Sequence, residues 1–333
     1  MGQQLKPLNE QVVVITGASS GIGLATAKLA AQRGAQVVLV SRDEEDLAQA
    51  VREIQAEGGR AVHFVADVAD QAAMERLARD VVVQFGRIDT WVNNAGVTVY
   101  GLIEEVPTKD ARRLFETNYW GVVNGSLAAL PHLRSGGGAL INVGSILSDT
   151  GYPLQGHYAA SKHAVKGFTD SLRLEVEKRG APVSITLIQP AAIDTPYPEH
   201  ARNYLGFEAK HMPPVYAPEV VARTILRCAE KPARNVLVGG SGKVFSTSEK
   251  FAPRLFDRLK EATGFAGQQT DRPAVSEDTL YHPRPDDGRV RGNYPGHVME
   301  SSAYTKARLN RGKALLGLAV VGTGLMLANR ARH

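Results

Sequence analysis

The sequence predicts a doubly wound α/β domain, with seven parallel strands in one sheet and helices on both faces. Three observations carry this. Short β-branched apolar runs recur between residues 12 and 238, segments of helical periodicity separate most of them, and glycines stand where the first two helices should stop. The 333 residues are 43% apolar and 22% charged, which excludes collagen-like, mucin-like and wholly disordered classes.

Taken in order, the predicted strands are Val12–Thr16, Gln36–Val40, Arg60–Val65, Thr90–Asn93, Ala139–Val143, Ser184–Gln189 and Asn235–Val238. Helical patterns cover Ile22–Arg33, Glu44–Glu57 and Gln71–Phe85, and Gly34 and Gly58 punctuate the first two. No internal repeat of fixed period is present.

The first strand runs into Thr16-Gly17-Ala18-Ser19-Ser20-Gly21-Ile22-Gly23, which opens the first helix. Glycines here let the backbone turn tightly and approach a pyrophosphate, whose charge meets free N–H groups at the helix N-terminus. A ligand-free glycine-rich turn is the bland alternative, and the strand-before, helix-after context favours a dinucleotide.

The end of the second strand bears on the choice of cofactor. No acidic residue stands there to bond a ribose 2′-OH; Ser41 and Arg42 follow Val40 instead. A guanidinium pairs with a 2′-phosphate through two donors, so NADP is expected over NAD. The alternative is a surface arginine paired with Asp43 or Glu45.

The catalytic signal is Tyr158-Ala159-Ala160-Ser161-Lys162, on a helix running toward Glu177. Residues four apart share a helical face, so the Lys162 ammonium can stabilise a Tyr158 phenolate and lower a pKa of about 10. Taken alone, such a pair is more often a solvated face. Its companions are Ser145, at the end of the strand Ala139–Val143, Asn118 in Thr117-Asn118-Tyr119-Trp120-Gly121, and Asn93-Asn94-Ala95-Gly96 after the fourth strand.

With these motifs in this order, residues 8–245 resemble the short-chain dehydrogenase/reductase family, a Rossmann-type fold. The resemblance implies Tyr158 as acid/base and Lys162 as the residue that holds the nicotinamide ribose and tunes Tyr158. It implies Ser145 as the group polarising a carbonyl and Asn118 as the holder of a relay water. By the same resemblance Asp67 and Val68 contact adenine, Asn94, Ala95 and Gly96 border the adenosine ribose, and Pro190 and Thr195 seat the carboxamide. Pro190-Ala191 departs from the family's usual Pro-Gly, and the last 80 or so residues have no counterpart in the family's usual chain.

The implied activity is hydride transfer between NADP(H) and a carbonyl or secondary alcohol. The loop Ile193–Glu219, with Tyr197, Tyr204, Phe207 and Tyr216, resembles the family's substrate lid, and Leu147, Tyr152 and Leu154 are expected in the same pocket. Such walls suit a lipophilic or cyclic substrate, although ordinary lid packing explains the residues equally well. A non-catalytic nucleotide-binding sensor or scaffold is the alternative; intact Tyr158 and Lys162 speak against it. A homo-oligomer is expected.

Composition bounds partners and compartment. The net charge is +5, yet residues 301–333 hold six basic residues and no acidic one, leaving the remainder at −1. No broad basic face for nucleic acid is expected. One cysteine, Cys228, excludes an intrachain disulfide and a multi-cysteine metal site; with a polar stretch from Met1 to Glu10, a location on the cytoplasmic side of the membrane is expected. The predicted organisation is a catalytic domain over 1–245, a helix over 246–265 centred on Phe251–Ala262, an extended or mobile arm over 266–305, and a tail over 306–333. In that tail Ala314–Ala328 is an uncharged run flanked by Lys313 and Arg330, suited to a membrane surface or to packing on protein, and short for a full span.

Overall fold

The computed structural model describes residues 4–240, 251–274, 277–284 and 287–309. One parallel sheet contains seven strands: β1 (Val12–Thr16), β2 (Gln36–Ser41), β3 (Arg60–Val65), β4 (Thr90–Asn93), β5 (Gly138–Val143), β6 (Val183–Pro190) and β7 (Asn235–Val238). Their order is β7-β6-β5-β4-β1-β2-β3, so the chain reverses direction across the sheet between β1 and β4. The carboxyl ends of the strands beside such a reversal form a crevice, because the loops leaving β1 and β4 diverge to opposite faces.

Alternation along the strands divides the core into two layers. Val13 and Ile15 pack with Leu24, Ala27, Val221 and Ile225 beneath α1 (Gly21–Gln32) and α7 (Pro218–Glu230). Val12 and Val14 face the other way and pack with Met74, Leu77, Leu130 and Leu133 of α3 (Gln71–Phe85) and α5 (Gly121–Gly136). Helix starts follow their capping residues. Asp43 accepts from the Asp46 amide at the head of α2 (Glu44–Ala56), and Asp70 accepts from the Ala73 amide at the head of α3. Gly86, at φ 76°, ends α3 in the left-handed conformation.

A buried polar network ties β4 and β5 to α5 and α6 (Gly156–Lys178). Asn93 Nδ2 donates to Asn142 Oδ1 at 2.8 Å and to Ser126 Oγ at 3.0 Å, and Asn142 Nδ2 donates to Thr169 Oγ1 at 2.9 Å. Trp91, fully buried, donates its indole N–H to Asn93 Oδ1 at 2.8 Å. Each polar atom has a partner, so the network fixes strand register at low cost.

The C-terminal region folds back onto this body. Helix α8 (Pro253–Gly267) starts and ends later than the predicted Phe251–Ala262, with Pro253 in its first turn. Gln269–Pro273 pairs antiparallel with Phe207–Ala209, and Val298–Met299 pairs parallel with Val215–Tyr216. Between these, residues 277–284 and 287–293 run over the carboxyl end of the sheet. A short helix α9 (Ala303–Leu309) follows, and its Thr305 Oγ1 accepts from the Gly239 amide at 3.1 Å. Within the stretch expected as an extended or mobile arm, residues 277–284 and 287–293 carry specific hydrogen bonds and ion pairs, which their Pro- and Gly-rich composition conceals. The run Ala314–Ala328 lies outside the described residues. Among the described residues no helix is long and apolar enough to cross a membrane.

Close packing in the network gives a stability test. A Cβ on Gly125 would sit 2.1 Å from Asn93 Oδ1 and 2.9 Å from Trp91 Nε1. Gly125→Ala is expected to destabilise the protein by about 1–3 kcal/mol through overpacking, measured by urea unfolding; a change below about 0.5 kcal/mol contradicts this packing.

Candidate active site

The site is built on the turn between β1 and α1. Gly17 and Gly21 have φ of 63° and 53°, conformations that side chains rarely adopt. Gly23 is glycine for another reason: a Cβ there would lie 2.0 Å from the Gly17 carbonyl oxygen. From β4, Asn94 Nδ2 donates to the carbonyls of Thr16 (3.0 Å) and Gly17 (3.1 Å), while Thr16 Oγ1 accepts from the Asn94 and Ala95 amides at 3.0 and 3.1 Å. Asn94 thus clamps the turn, a role its sequence position does not disclose.

One cavity of about 360 Å³ opens above this turn. Gly17, Ser19, Ser20, Gly21, Ile22, Arg42, Asp67, Val68, Asn94, Ala95, Gly96, Ser145, Tyr158, Lys162, Pro190 and Thr195 all line it. The two remaining expected residues stand behind the wall. Gly23 packs under the turn, and Asn118 lies fully buried. The fit to a dinucleotide is physical: a glycine cradle that a Cβ would fill, the N-terminus of α1 beside it, and the Asp67 carboxylate at the other end. Burial alone would raise the Asp67 pKa; the Ala69 amide and the Arg113 guanidinium, 2.6 Å away, outweigh it and hold the group below its ordinary value.

Arg42 is engaged differently from either expectation. Its guanidinium donates to the backbone carbonyls of Thr279 (2.5 Å), Tyr281 (3.0 Å) and Leu280 (3.4 Å) of the C-terminal segment. These direct partners are neutral carbonyls, and the nearby anion is Asp67, whose direct ion pair is with Arg113.

The reacting end is assembled by β5, α6 and the segment before α5. Tyr158 and Lys162 share one face of α6, with the ammonium 5.7 Å from the phenol ring centroid and donating to the Val143 carbonyl at 3.0 Å. Burial lowers the Lys162 pKa to about 8. The expected lowering of Tyr158 is not found. Burial raises its pKa, with the hydroxyls of Tyr197 and Ser145 opposing, while the Lys162 ammonium is bonded to the Val143 carbonyl. Ser145 begins the short turn Ile146–Ser148, its Oγ accepting from the Leu147 amide at 3.1 Å.

Asn118 sits in a π-helical turn, Glu116–Trp120, between α4 (Thr108–Phe115) and α5. Its side chain is committed. Oδ1 accepts from the Val97 amide at 2.8 Å, and Nδ2 donates to the Val97 carbonyl at 2.9 Å and to Ser161 Oγ at 3.1 Å. Both side-chain N–H groups and Oδ1 are therefore engaged within the protein.

At the substrate end Leu147, Tyr152 and Tyr197 line the cavity as expected, whereas Leu154 packs away with Tyr100, Ala201 and Ala209. Of the lid aromatics, Tyr204 donates to Asp110, Tyr216 OH accepts from the Gly240 amide at 3.0 Å, and Phe207 is exposed. Thr98, Tyr100, His211 and Met212, which belong to no sequence motif, also line the cavity. Tyr197 meets Tyr158 edge-on and stacks on His211, at ring-centroid distances of 5.7 and 6.4 Å. Burial pushes His211 down to about 4, so its imidazole is neutral, and no signal in a lone histidine of a loop announces this.

Comparison with known proteins agrees with this geometry. The profile of the family described as short chain dehydrogenase matches residues 11–204. The uncharacterized oxidoreductase YxnA of Bacillus subtilis is 45% identical over 312 residues, covering 91% of this chain and 86% of its own, a match that necessarily takes in residues 266–300. Among solved structures, a short chain dehydrogenase/reductase from Burkholderia phymatum in complex with NAD is similar at TM-score 0.67 and 26% identity, over 76% of this chain and 97% of that one. A metagenomic short-chain oxidoreductase in complex with NADP is similar at TM-score 0.60 and 28% identity, over 70% and 98% of the two chains. The glycine turn, the cavity and the Ser145, Tyr158 and Lys162 cluster accordingly have one explanation: the chain belongs to the short-chain dehydrogenase family, oxidoreductases that use a nicotinamide cofactor.

Proposed function

We propose that the protein interconverts a lipophilic carbonyl compound and its secondary alcohol, with NADP(H) preferred over NAD(H). The observation that carries the reading is the convergence of Ser145, Tyr158 and Lys162 in the same cavity as the glycine turn. When bound, the reduced nicotinamide supplies the hydride that the carbonyl carbon receives. The chain supplies the rest. Tyr158, whose burial favours the protonated phenol, donates its proton to the carbonyl oxygen as charge develops there, and Ser145 donates a second hydrogen bond to that oxygen. Lys162, in its charged form below about pH 8, offsets the phenolate left behind, and the phenolate regains its proton from solvent through water near Lys162 and Asn118. In the residues' other roles, Lys162 bonds the nicotinamide ribose, Pro190 and Thr195 seat the carboxamide, and Asn94, Ala95 and Gly96 border the adenosine ribose, with Asp67 and Val68 at adenine.

The substrate reading rests on the wall of Leu147, Tyr100, Tyr152, Tyr197 and Met212. Self-association fits exposed Trp120, Leu127 and Leu174 on the segment before α5, on α5 and on α6. Helix α8 presents Leu255 and Leu259 to solvent at 66% and 46% exposure, beside exposed Arg254 and Arg258 and just after exposed Phe251. That outward apolar stripe supports attachment of the C-terminal region, tail included, to the cytoplasmic face of an anionic membrane.

Three outcomes follow. Tyr158→Phe should lower kcat by a factor of about 10² or more while leaving NADPH affinity within a few-fold, read by steady-state kinetics and fluorescence titration; retention of a tenth of the activity contradicts the role. NADPH should bind more tightly than NADH, and Arg42→Ala should weaken NADPH at least about tenfold and by more than it weakens NADH; equal affinities in the unmutated protein contradict the preference. The full chain should cosediment with anionic vesicles at low salt and a chain ending at Tyr304 should do so less, whereas equal recovery in the supernatant contradicts attachment by the tail.

A further inference from the structure

The C-terminal segment that folds back over the sheet touches the cofactor cavity at each of its parts. At the β2 end, the carbonyls of Thr279, Leu280 and Tyr281 accept from Arg42, and Leu280 O also accepts from Arg113 Nε at 3.1 Å. At the head of α2, the amides of Asp287 and Gly288 donate to the Asp46 carboxylate. A Cβ on Gly288 would lie 3.4 Å from the Cβ of Asp46. At the head of α1, the Gly21 amide donates to the Arg289 carbonyl at 2.9 Å. At the opposite wall, a Cβ on Gly292 would lie 2.4 Å from the Thr195 carbonyl oxygen. Thr279, Pro283, Arg284 and Asp287 are themselves part of the lining.

The contacts do not fill the cavity. Only the first amide of α1 is taken; Ile22, next in the same turn, still lines the open space. Further side-chain contacts hold the segment independently of any ligand. Arg202 pairs with Asp278 at 2.6 Å, and Tyr281 donates to the buried carboxylate of Asp110 at 2.7 Å. Asp287 is bridged by His200 at 2.5 Å and Arg289 at 2.7 Å, and Arg289 also pairs with Glu199. Burial, chiefly, and the neighbouring Asp43 raise the Asp46 pKa to about 6.

We propose that residues 279–284 and 287–292 are a working part of the cofactor site: a strap that spans the bound dinucleotide from its adenosine end to its nicotinamide end and sets the rate at which it enters and leaves. The inference rests on the reading of this cavity as the nicotinamide cofactor site. It gives a task to residues beyond the family's usual chain. It also explains why Arg42 is anchored to peptide carbonyls rather than to a carboxylate: the strap needs the guanidinium as its foothold, and the cofactor needs its charge.

The strap can be locked covalently. The 3.4 Å separation at positions 46 and 288 is close to the 3.5–4.5 Å Cβ spacing of a disulfide, and the one native cysteine, Cys228, is buried. In Asp46→Cys/Gly288→Cys, loaded with NADPH and then oxidised, displacement of NADPH followed by its fluorescence should be at least tenfold slower than in the reduced form of the same variant. Oxidation before loading should slow NADPH association similarly, and dithiothreitol should restore both. In Gly292→Val, which pushes the strap off Thr195, NADPH should leave at least tenfold faster than from the unmutated protein. Equal rates in the oxidised and reduced forms, with the disulfide confirmed by thiol titration, overturn the proposal. So does a pair of thiols that will not oxidise, since the strap is then not seated on position 46. If the unmutated protein binds neither NADPH nor NADH, the cofactor reading fails as well; if it binds and these rates do not move, the strap alone fails.

Discussion

The structure depends on one close approach, that of the first turn of α1 to the carbonyl of Gly17. Backbone meets backbone there, and the 2.0 Å that would separate a Gly23 Cβ from that oxygen leaves no side chain admissible. Asn94 closes the same turn from β4 by donating to two of its carbonyls. Because β1 and β4 are neighbours in the sheet, this clamp sits at the point where the strand order reverses, and the crevice opens directly above it. The amides at the head of α1, the β2 end with Arg42, and the β5–α6 face with Tyr158 and Lys162 are all placed relative to it.

Much of this was legible in the sequence because it is local. Apolar runs mark the seven strands, glycines mark the turn, and a four-residue spacing puts Tyr158 and Lys162 on one helical face. What the sequence concealed depends on contacts between distant segments. Asn94 reads as a neighbour of ribose, and its clamp on Thr16 and Gly17 requires knowing that β4 lies beside β1. Leu154 belongs by composition to a pocket wall, but the fold turns it into a small cluster with Tyr100. The C-terminal segment carries no periodicity, since it forms little regular structure; its order comes from ion pairs and from carbonyls that meet Arg42, partners more than 230 residues away.

Charge organises the two ends of the cavity in different ways. At the reacting end, burial shifts both titratable groups toward their neutral forms, Lys162 down and Tyr158 up, so the site holds a protonated phenol beside an ammonium that yields its proton near neutrality. At the adenosine end the guanidiniums of Arg42 and Arg113 surround Asp67 under peptide carbonyls, a positive environment fixed in place. The first arrangement suits the movement of protons and the second the holding of an anion, the division of labour that the proposed hydride transfer asks of a protein.

The central claim is that this cavity performs that transfer and does not only hold a nucleotide. The most direct measurement supplies NADPH deuterated at nicotinamide C4, on either face, with a panel of lipophilic ketones, and examines the alcohols by mass spectrometry. The expected product is an alcohol carrying one deuterium at the former carbonyl carbon, lost when Tyr158 is replaced by Phe. Tight NADPH binding with no deuterium delivered to any ketone, aldehyde or cyclic carbonyl would contradict it and leave a nucleotide-binding protein without turnover.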